Sequence, residues 1–352
     1  MNTLAVMGNI AFRNERFADA ITHYDDFFRL HERNMAVEDF VIPPAEVAKE
    51  LIISLFSTNN RPRAERAQRD LGNVLGRDNA ILSEIRLHEG IYYARMDRGR
   101  AVRPLTAVID DINTPSEMAF QAMYWRGVVH THDRRHEQAI IDFTGALNTT
   151  DERLRNQAAL SLGNIHLSRE NYIEAMEIYY LVILGDSDGR FARDAAHNFA
   201  IAGKHVHAWD QVIAAYQIIM ERWGQAQLSN ETMVTVGFSF FQAGEHSQAI
   251  NILNHLITTG EVRDVELQAE AHYWLAEAHS GQRNFSEAQR IYRQIRSQFS
   301  RATRWADLAH LRIGEMYLQL GEEENGMRVF RELVRIHGAA SDIGREANRY
   351  LQ

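Results

Sequence analysis

The sequence predicts an all-α fold of stacked helical hairpins, and three observations carry that reading. Ala, Leu, Ile, Glu, Arg and Gln dominate while only five prolines occur among 352 residues, a helix-forming composition. No sustained alternation of apolar and polar residues bounded by Asn-Gly or Asp-Gly turns is present, so strand signals are weak. Small residues recur at a separation of twelve: Gly8 with Ala20, Gly127 with Ala139, Gly163 with Ala175, Gly237 with Ala249, and Ala276 with Ala288.

Weaker versions of the same pair link Gly90 to Val102, Ala200 to Val212 and Gly314 to Gly326. From Gly90 onward these anchors stand 36 to 39 residues apart, and a fixed period in that range is the signature of a helical-repeat array. Two antiparallel helices joined by a tight turn approach closely only where side chains are small. The spacing therefore predicts that each anchor in a first helix A faces the small residue near the start of helix B.

Element by element, residues 1–34 form the first hairpin, with "NERF" as its turn. Residues 35–80 read as an insertion followed by an irregular second repeat: "HERNMAVEDFVIPP" is long, and the helices around Leu51 to Phe56 and Ala64 to Leu75 lose the Gly/Ala spacing. Residues 81–338 hold the third to ninth hairpins. Pro104 falls inside the predicted helix B of the third, where it removes a hydrogen bond unless the helix starts there. In residues 339–352, Ser341 or Asp342 serves as N-cap and Ile343, Ala347 and Leu351 form an apolar stripe, which suits a helix covering the last hairpin.

Leu162, Gly163, Tyr172, Ala175 and Tyr179, with "RENY" as the turn, resemble the tetratricopeptide repeat family. An aromatic recurs at the family's helix B position as Tyr24, Phe143, Tyr179, Tyr216, Tyr292 and Phe330. The resemblance implies a right-handed superhelical solenoid of about nine hairpins plus a C-terminal capping helix, and a binding function on its concave side. The period is longer than the family's usual 34, and the family's loop proline is mostly missing. "AHLRIGEMYLQLG" and "MRVFRELVRIHG" look like repeats of periplasmic outer-membrane-assembly and Tol-Pal-type proteins, which favours an envelope setting over the cytoplasm.

A net charge of −9 argues against nucleic acid or an anionic membrane surface as the main partner, since both need a positive field. "RPRAERAQR" is a local exception, read as a solvated helix face. No cysteine is present, which excludes disulfides and thiolate chemistry. No apolar run approaches the ~18 residues of a membrane span. Amphipathic pattern begins at Leu4 with no leader, which suggests that an upstream signal, anchor or domain has been removed.

Sixteen histidines raise the question of a metal. His130, His166 and His279 share one helix A position, where Tyr93, Phe240 and Tyr317 stand in other hairpins, so they read as core residues rather than ligands. "GDSDG" at 185–189 imitates the start of a calcium loop, but no glutamate completes it; it reads as a turn. No phosphate-binding glycine motif or nucleophile elbow occurs. No cofactor, no metal and no catalytic residue is therefore expected.

Helix A side chains that point away from helix B line the concave side. In this frame they include Tyr124, His132, Asn164, Lys204, His205, Phe238, Phe241, Gln242, Tyr273, Glu277 and Glu315. Phe238 and Phe241 either pack on a neighbouring helix A or form an exposed patch of the kind that marks a partner site. An apolar groove edged by Glu270, Glu277 and Glu315 would suit a helical or extended segment carrying Arg or Lys. The sequence thus predicts a non-enzymatic scaffold that binds another protein in its groove, in an envelope or motility assembly. The alternative is a regulatory or self-assembling repeat domain in the cytoplasm, with a homo-oligomer made through the convex face or the N-terminal segment.

Overall fold

The computed structural model describes residues 1–33, 40–75, 80–224, 228–259 and 262–352. Among these, nineteen α-helices and one short 3-10 turn follow one another, and no strand occurs. The chain divides into two compact units, Met1–Ile165 and His166–Gln352. The first holds the pairs α1 (Asn2–Arg13) and α2 (Phe17–Arg33), α3 (Pro44–Ser57) and α4 (Arg61–Leu75), α5 (Ala80–Met96) and α6 (Val102–Asp110), and α7 (Ser116–His132) and α8 (His136–Ala146). The division falls within α9 (Glu152–Ser168), which α10 (Tyr172–Gly185) follows. The second unit then pairs α11 (Ala192–His205) with α12 (Trp209–Arg222), α13 (Asn230–Gln242) with α14 (His246–Thr259), α15 (Val265–Gly281) with α16 (Phe285–Gln298), and α17 (Thr303–Gln319) with α18 (Glu323–His337), and ends in α19 (Asp342–Arg349). From α1 to α8 and from α10 to α19 each helix packs on the next, and in the same stretches helix A of one pair packs on helix A of the following pair. Contacts this local are what a repeat array dictates.

The turns inside the hairpins close in one way. Seven residues after the anchor the backbone is left-handed, with φ between 56° and 79° at Glu15, Arg134, Glu170, His207, Gly244, Arg283 and Gly321. The next N–H then reaches back to a carbonyl five residues earlier, as from Arg16 to Ala11 and from Asn284 to His279, both at 2.9 Å. This closure satisfies carbonyls that the helix end leaves without partners. Asn59 has the same conformation, φ 60°, and Asn60 donates to Leu55 at 2.8 Å.

Counting back from Asn59 puts the second hairpin's anchor at Ile52 and its twelfth-on residue at Ala64, both buried. The stretch expected to lose the spacing therefore keeps it, with a branched anchor in place of glycine. Residues 34–39 of the insertion and residues 76–79 lie outside the described residues. The hairpin of Gly90 departs instead: Asp97 is extended at φ −155° and the 3-10 turn Arg98–Arg100 follows. Helix α6 starts two residues before Pro104, so the missing N–H falls in the first turn, where it would have no partner.

The anchors are small for a second reason beside the expected one. A Cβ on Gly127 would lie 2.9 Å from the Phe143 ring, one on Gly314 2.6 Å from the Phe330 ring, and one on Gly237 2.6 Å from Leu253. Each glycine thus makes room for the side chain sixteen residues on. The twelfth-on residue faces the anchor's backbone: a Cβ on Gly326 would stand 3.0 Å from the Gly314 carbonyl oxygen. In the hairpins of Gly8, Gly127, Gly237 and Gly314, a row of large side chains and a row of small ones thus lock the two helices together.

At the end of the chain, Ser341 caps α19 by accepting the Gly344 N–H at 3.1 Å. Tyr350 stacks on Phe330 with centroids 4.5 Å apart. In the calcium-like stretch, Asp186 accepts the N–H groups of Phe191 and Ala192 at 2.7 and 2.8 Å, capping α11, while its carbonyl accepts from Arg222 at 3.0 Å. That stretch is a turn. In the arginine run, Arg61 pairs with Glu65 at 2.9 Å and Arg63 with Asp25, while Arg66 and Arg69 are exposed.

Candidate protein-binding face

The predicted concave residues fall in both units. Tyr124, His132 and Asn164 belong to the first, where Tyr124 is half-buried and the other two are exposed. Lys204, His205, Phe238, Phe241, Gln242, Tyr273, Glu277 and Glu315 belong to the second.

The second unit brings its share together around a row of rings. His205 stacks flat on Tyr172 at 4.3 Å. Trp209 meets Phe238 edge-on at 5.1 Å, Phe238 lies 4.3 Å from Trp274, and Phe241 lies 5.8 Å from Trp274. Trp274 in turn stands 6.0 Å from Trp305. The Lys204 ammonium sits 5.5 Å from the Phe238 centroid and 3.5 Å from Glu270. Offset and edge-on pairs of this kind stabilise beyond their buried area.

Two of the predicted contact residues do not reach the surface. Tyr273 is 3% exposed and Phe238 8%, because each is enclosed by rings from the neighbouring hairpins; they support the face from beneath. Phe241, Trp209 and Trp274 are half-buried, while Lys204, His205 and Gln242 are exposed.

The acidic edge needs correction as well. Arg312 donates to Glu277 and Glu315 at 2.8 Å each, and to the Tyr273 hydroxyl at 3.2 Å. Tyr292 donates to Glu277 at 2.5 Å and Tyr350 to Glu315 at 2.9 Å. Glu270 accepts from the Trp274 indole at 3.3 Å. Burial raises the Tyr273 and Tyr292 hydroxyls above the usual phenol range, and Glu277 adds to it. Burial opposes the Arg312 charge, but Glu277, Tyr273 and Glu315 more than offset it and hold the guanidinium protonated. The carboxylates expected to select a basic partner are thus engaged by the chain's own groups.

His130 is 7% exposed and lies 3.8 Å from Asp142; burial pushes its imidazole below the usual range, and His279 likewise. Among the described residues, no three His, Asp or Glu side chains come together in a way that could hold a metal ion. Among the same residues, no helix is long and apolar enough to cross a membrane.

Sequence reasoning missed Trp274, Trp209 and Arg312. A signal for the first was present: Tyr124-Trp125 and Tyr273-Trp274 are the same dipeptide at the same place, the Trp two residues before the anchor. Arg312 carried none, since its partner Glu277 is 35 residues away in the preceding hairpin.

Residues 275–341 match the tetratricopeptide repeat family model. The fold is one of stacked tetratricopeptide-like hairpins. Among solved structures, the apo form of RapI superposes with a TM-score of 0.50 at 10% identity, covering 99% of this chain and 97% of that one. A tetratricopeptide repeat protein from Parabacteroides merdae gives a TM-score of 0.41 at 13% identity, over 75% of this chain and 98% of that one. No curated protein matches the sequence.

Proposed function

We propose that the chain is a non-catalytic scaffold that binds a segment of another protein along the row of rings in its second unit. The observation that carries this reading is that Trp209, Phe241 and Trp274 remain partly accessible although each is held in place by ring contacts. Rigid aromatic rings on a preorganised surface are where interface energy concentrates. A helical or extended segment lays apolar side chains on them. Lys204, 46% exposed and loosely paired with Glu270, favours a carboxylate beside those side chains over a basic group. The likeness of the last hairpins to periplasmic repeat proteins supports an envelope assembly as the setting.

The test is a crosslinking pull-down from the native organism with the intact chain, Phe241→Ala and Lys204→Glu. Loss of the same captured protein in both variants, with the melt of Lys204→Glu unchanged, supports the reading. Undiminished capture by both moves the binding surface elsewhere.

A second reading, self-association, is favoured by α1. Val6, Met7 and Ile10 are 37%, 45% and 49% exposed, and α1 carries no charge before Arg13. An uncharged apolar face is self-complementary across a two-fold axis. Light scattering distinguishes a dimer, broken by Met7→Glu, from a monomer.

A further inference from the structure

The first unit has a hollow of its own, made of different chemistry. A cavity of about 630 Å³ is bounded by the turn between α1 and α2, by α3, α5 and α7, and includes Phe56, Tyr92, Arg95 and Trp125 in its wall. A second cavity of about 520 Å³ continues toward α9 past Glu84, Glu117 and Asp151. His88 and Gln121 line both, so the two form one groove across successive helices A.

The two halves of this groove ask for different things. In the first, Tyr92 tilts against Phe56 at 5.5 Å, and the Arg95 guanidinium lies 4.8 Å from the Trp125 centroid. This half is aromatic and takes apolar side chains, with Arg95 already occupying its place for a cation. The second half is acidic, and its carboxylates are held in position. Glu117 accepts from the Thr149 hydroxyl and, at 2.9 and 2.8 Å, from the Thr150 N–H and hydroxyl. Asp151 accepts the Arg153 N–H at 2.9 Å. Glu84 is 2.8 Å from Lys49, the one cation that touches this trio in the described residues. With Glu15 at the far end, the lining sets four carboxylates against the single guanidinium of Arg95. A groove lined by one sign of charge on apolar walls concentrates and orients ligands of the other.

We propose that this groove is a second docking site, separate from the ring row of the other unit, for a protein segment that carries apolar or aromatic residues followed by arginine or lysine. The apolar residues sit between Tyr92 and Trp125, and the basic ones reach toward Glu84, Glu117 and Asp151. Arg95 fixes the direction, since it repels a cation at the aromatic end. This occupant differs from that of the second unit, whose carboxylates are engaged internally.

Three short labelled peptides test the idea on the full chain by fluorescence anisotropy. They share their Leu and Phe positions and carry Arg, Gln or Glu at the rest. The Arg peptide is expected to bind about tenfold or more tighter than the Gln peptide at low salt, the Glu peptide weakest, with the difference shrinking as salt rises. Gln121→Arg, an exposed change that places a cation in the groove, should weaken the Arg peptide about tenfold; Glu117→Gln should weaken it less, by about threefold. Trp274→Ala should leave this binding unchanged. Equal affinity for the three peptides overturns the proposal. So does retention of binding by both groove variants, or its loss in Trp274→Ala alone.

Discussion

Trp125 in the first unit and Trp274 in the second follow a tyrosine and precede their anchors by the same two residues, yet they serve different surfaces. Trp274 is surrounded by Phe238, Phe241, Tyr273 and Trp305. Trp125 packs at the edge of the apolar core around Leu87, Tyr93 and Ala122, with Tyr124 beside it and Arg95 over one face, and borders the cavity on its open side. A residue's place in the repeat fixes where its side chain points, and the neighbouring hairpins decide what it finds there.

The comparison breaks most visibly on truncation. Trp274→Ala empties a site filled by four rings and should cost about 3 kcal/mol of stability, whereas Trp125→Ala should cost about 1 kcal/mol. Equal losses in urea titrations would show that the repeat position, not the neighbours, sets the energetics.

A smaller difference should appear in acid. His310 is 3% exposed; burial, with Arg296 nearby, pushes its imidazole down to about 4 against the opposing pull of Glu332 and Asp307. An unfolded-chain histidine titrates near 6.5, so between those values the unfolded chain binds a proton that the folded chain refuses. This contribution is fully present above about pH 6.5 and lost as pH falls toward 4, on the order of 2 kcal/mol for this one group. Burial lowers His272 and His279 in the same unit too, against His88 and His130 in the first. Trp125 is the first unit's sole tryptophan among the five, so emission of Trp125→Phe reports the second unit alone. Its denaturation midpoint should fall between pH 7 and 4.5, and His310→Gln should flatten that fall.

The smallest effect should be the same in both units. Arg134 and Arg283 hold the left-handed turn position at φ 59° and 62°, a conformation glycine adopts without its Cβ penalty. Either residue changed to Gly should alter stability by less than about 0.5 kcal/mol, since relief of strain is offset by the freer unfolded chain. Unequal shifts in the two melts would mean that neighbours reach even into the turns.

Much of the fold was legible because each hairpin repeats its contacts at fixed separations. The second hairpin reads as irregular in sequence because its anchor, Ile52, is large; its true marker is the backbone conformation at Asn59, which an asparagine only hints at. The aromatic row that fills the space beside the glycines was visible as Tyr24, Phe143 and Phe330, but the sequence does not say that ring and glycine are each other's complement. The candidate face was legible in part. Helix periodicity placed Lys204, His205, Phe241 and Gln242 near one another, but it does not weigh burial, and so it placed Tyr273 on the face and left Phe238 open between surface and packing. Nor does it see pairings between hairpins, such as Arg312 with Glu277, which decide whether a carboxylate is available.

The repeated turn has a consequence for how such a chain lengthens. From anchor to left-handed residue is seven positions in eight of the hairpins, Ile52 to Asn59 included, while the distance between successive anchors varies from 36 to 44. The closure runs backbone to backbone at a fixed count of residues, whereas the links between hairpins carry no closure that recurs from one to the next. Inserted sequence, whether a protease site, an epitope or a whole small domain, is therefore expected to be accepted in those links and rejected inside the hairpins, so that the chain has fixed words and elastic spaces.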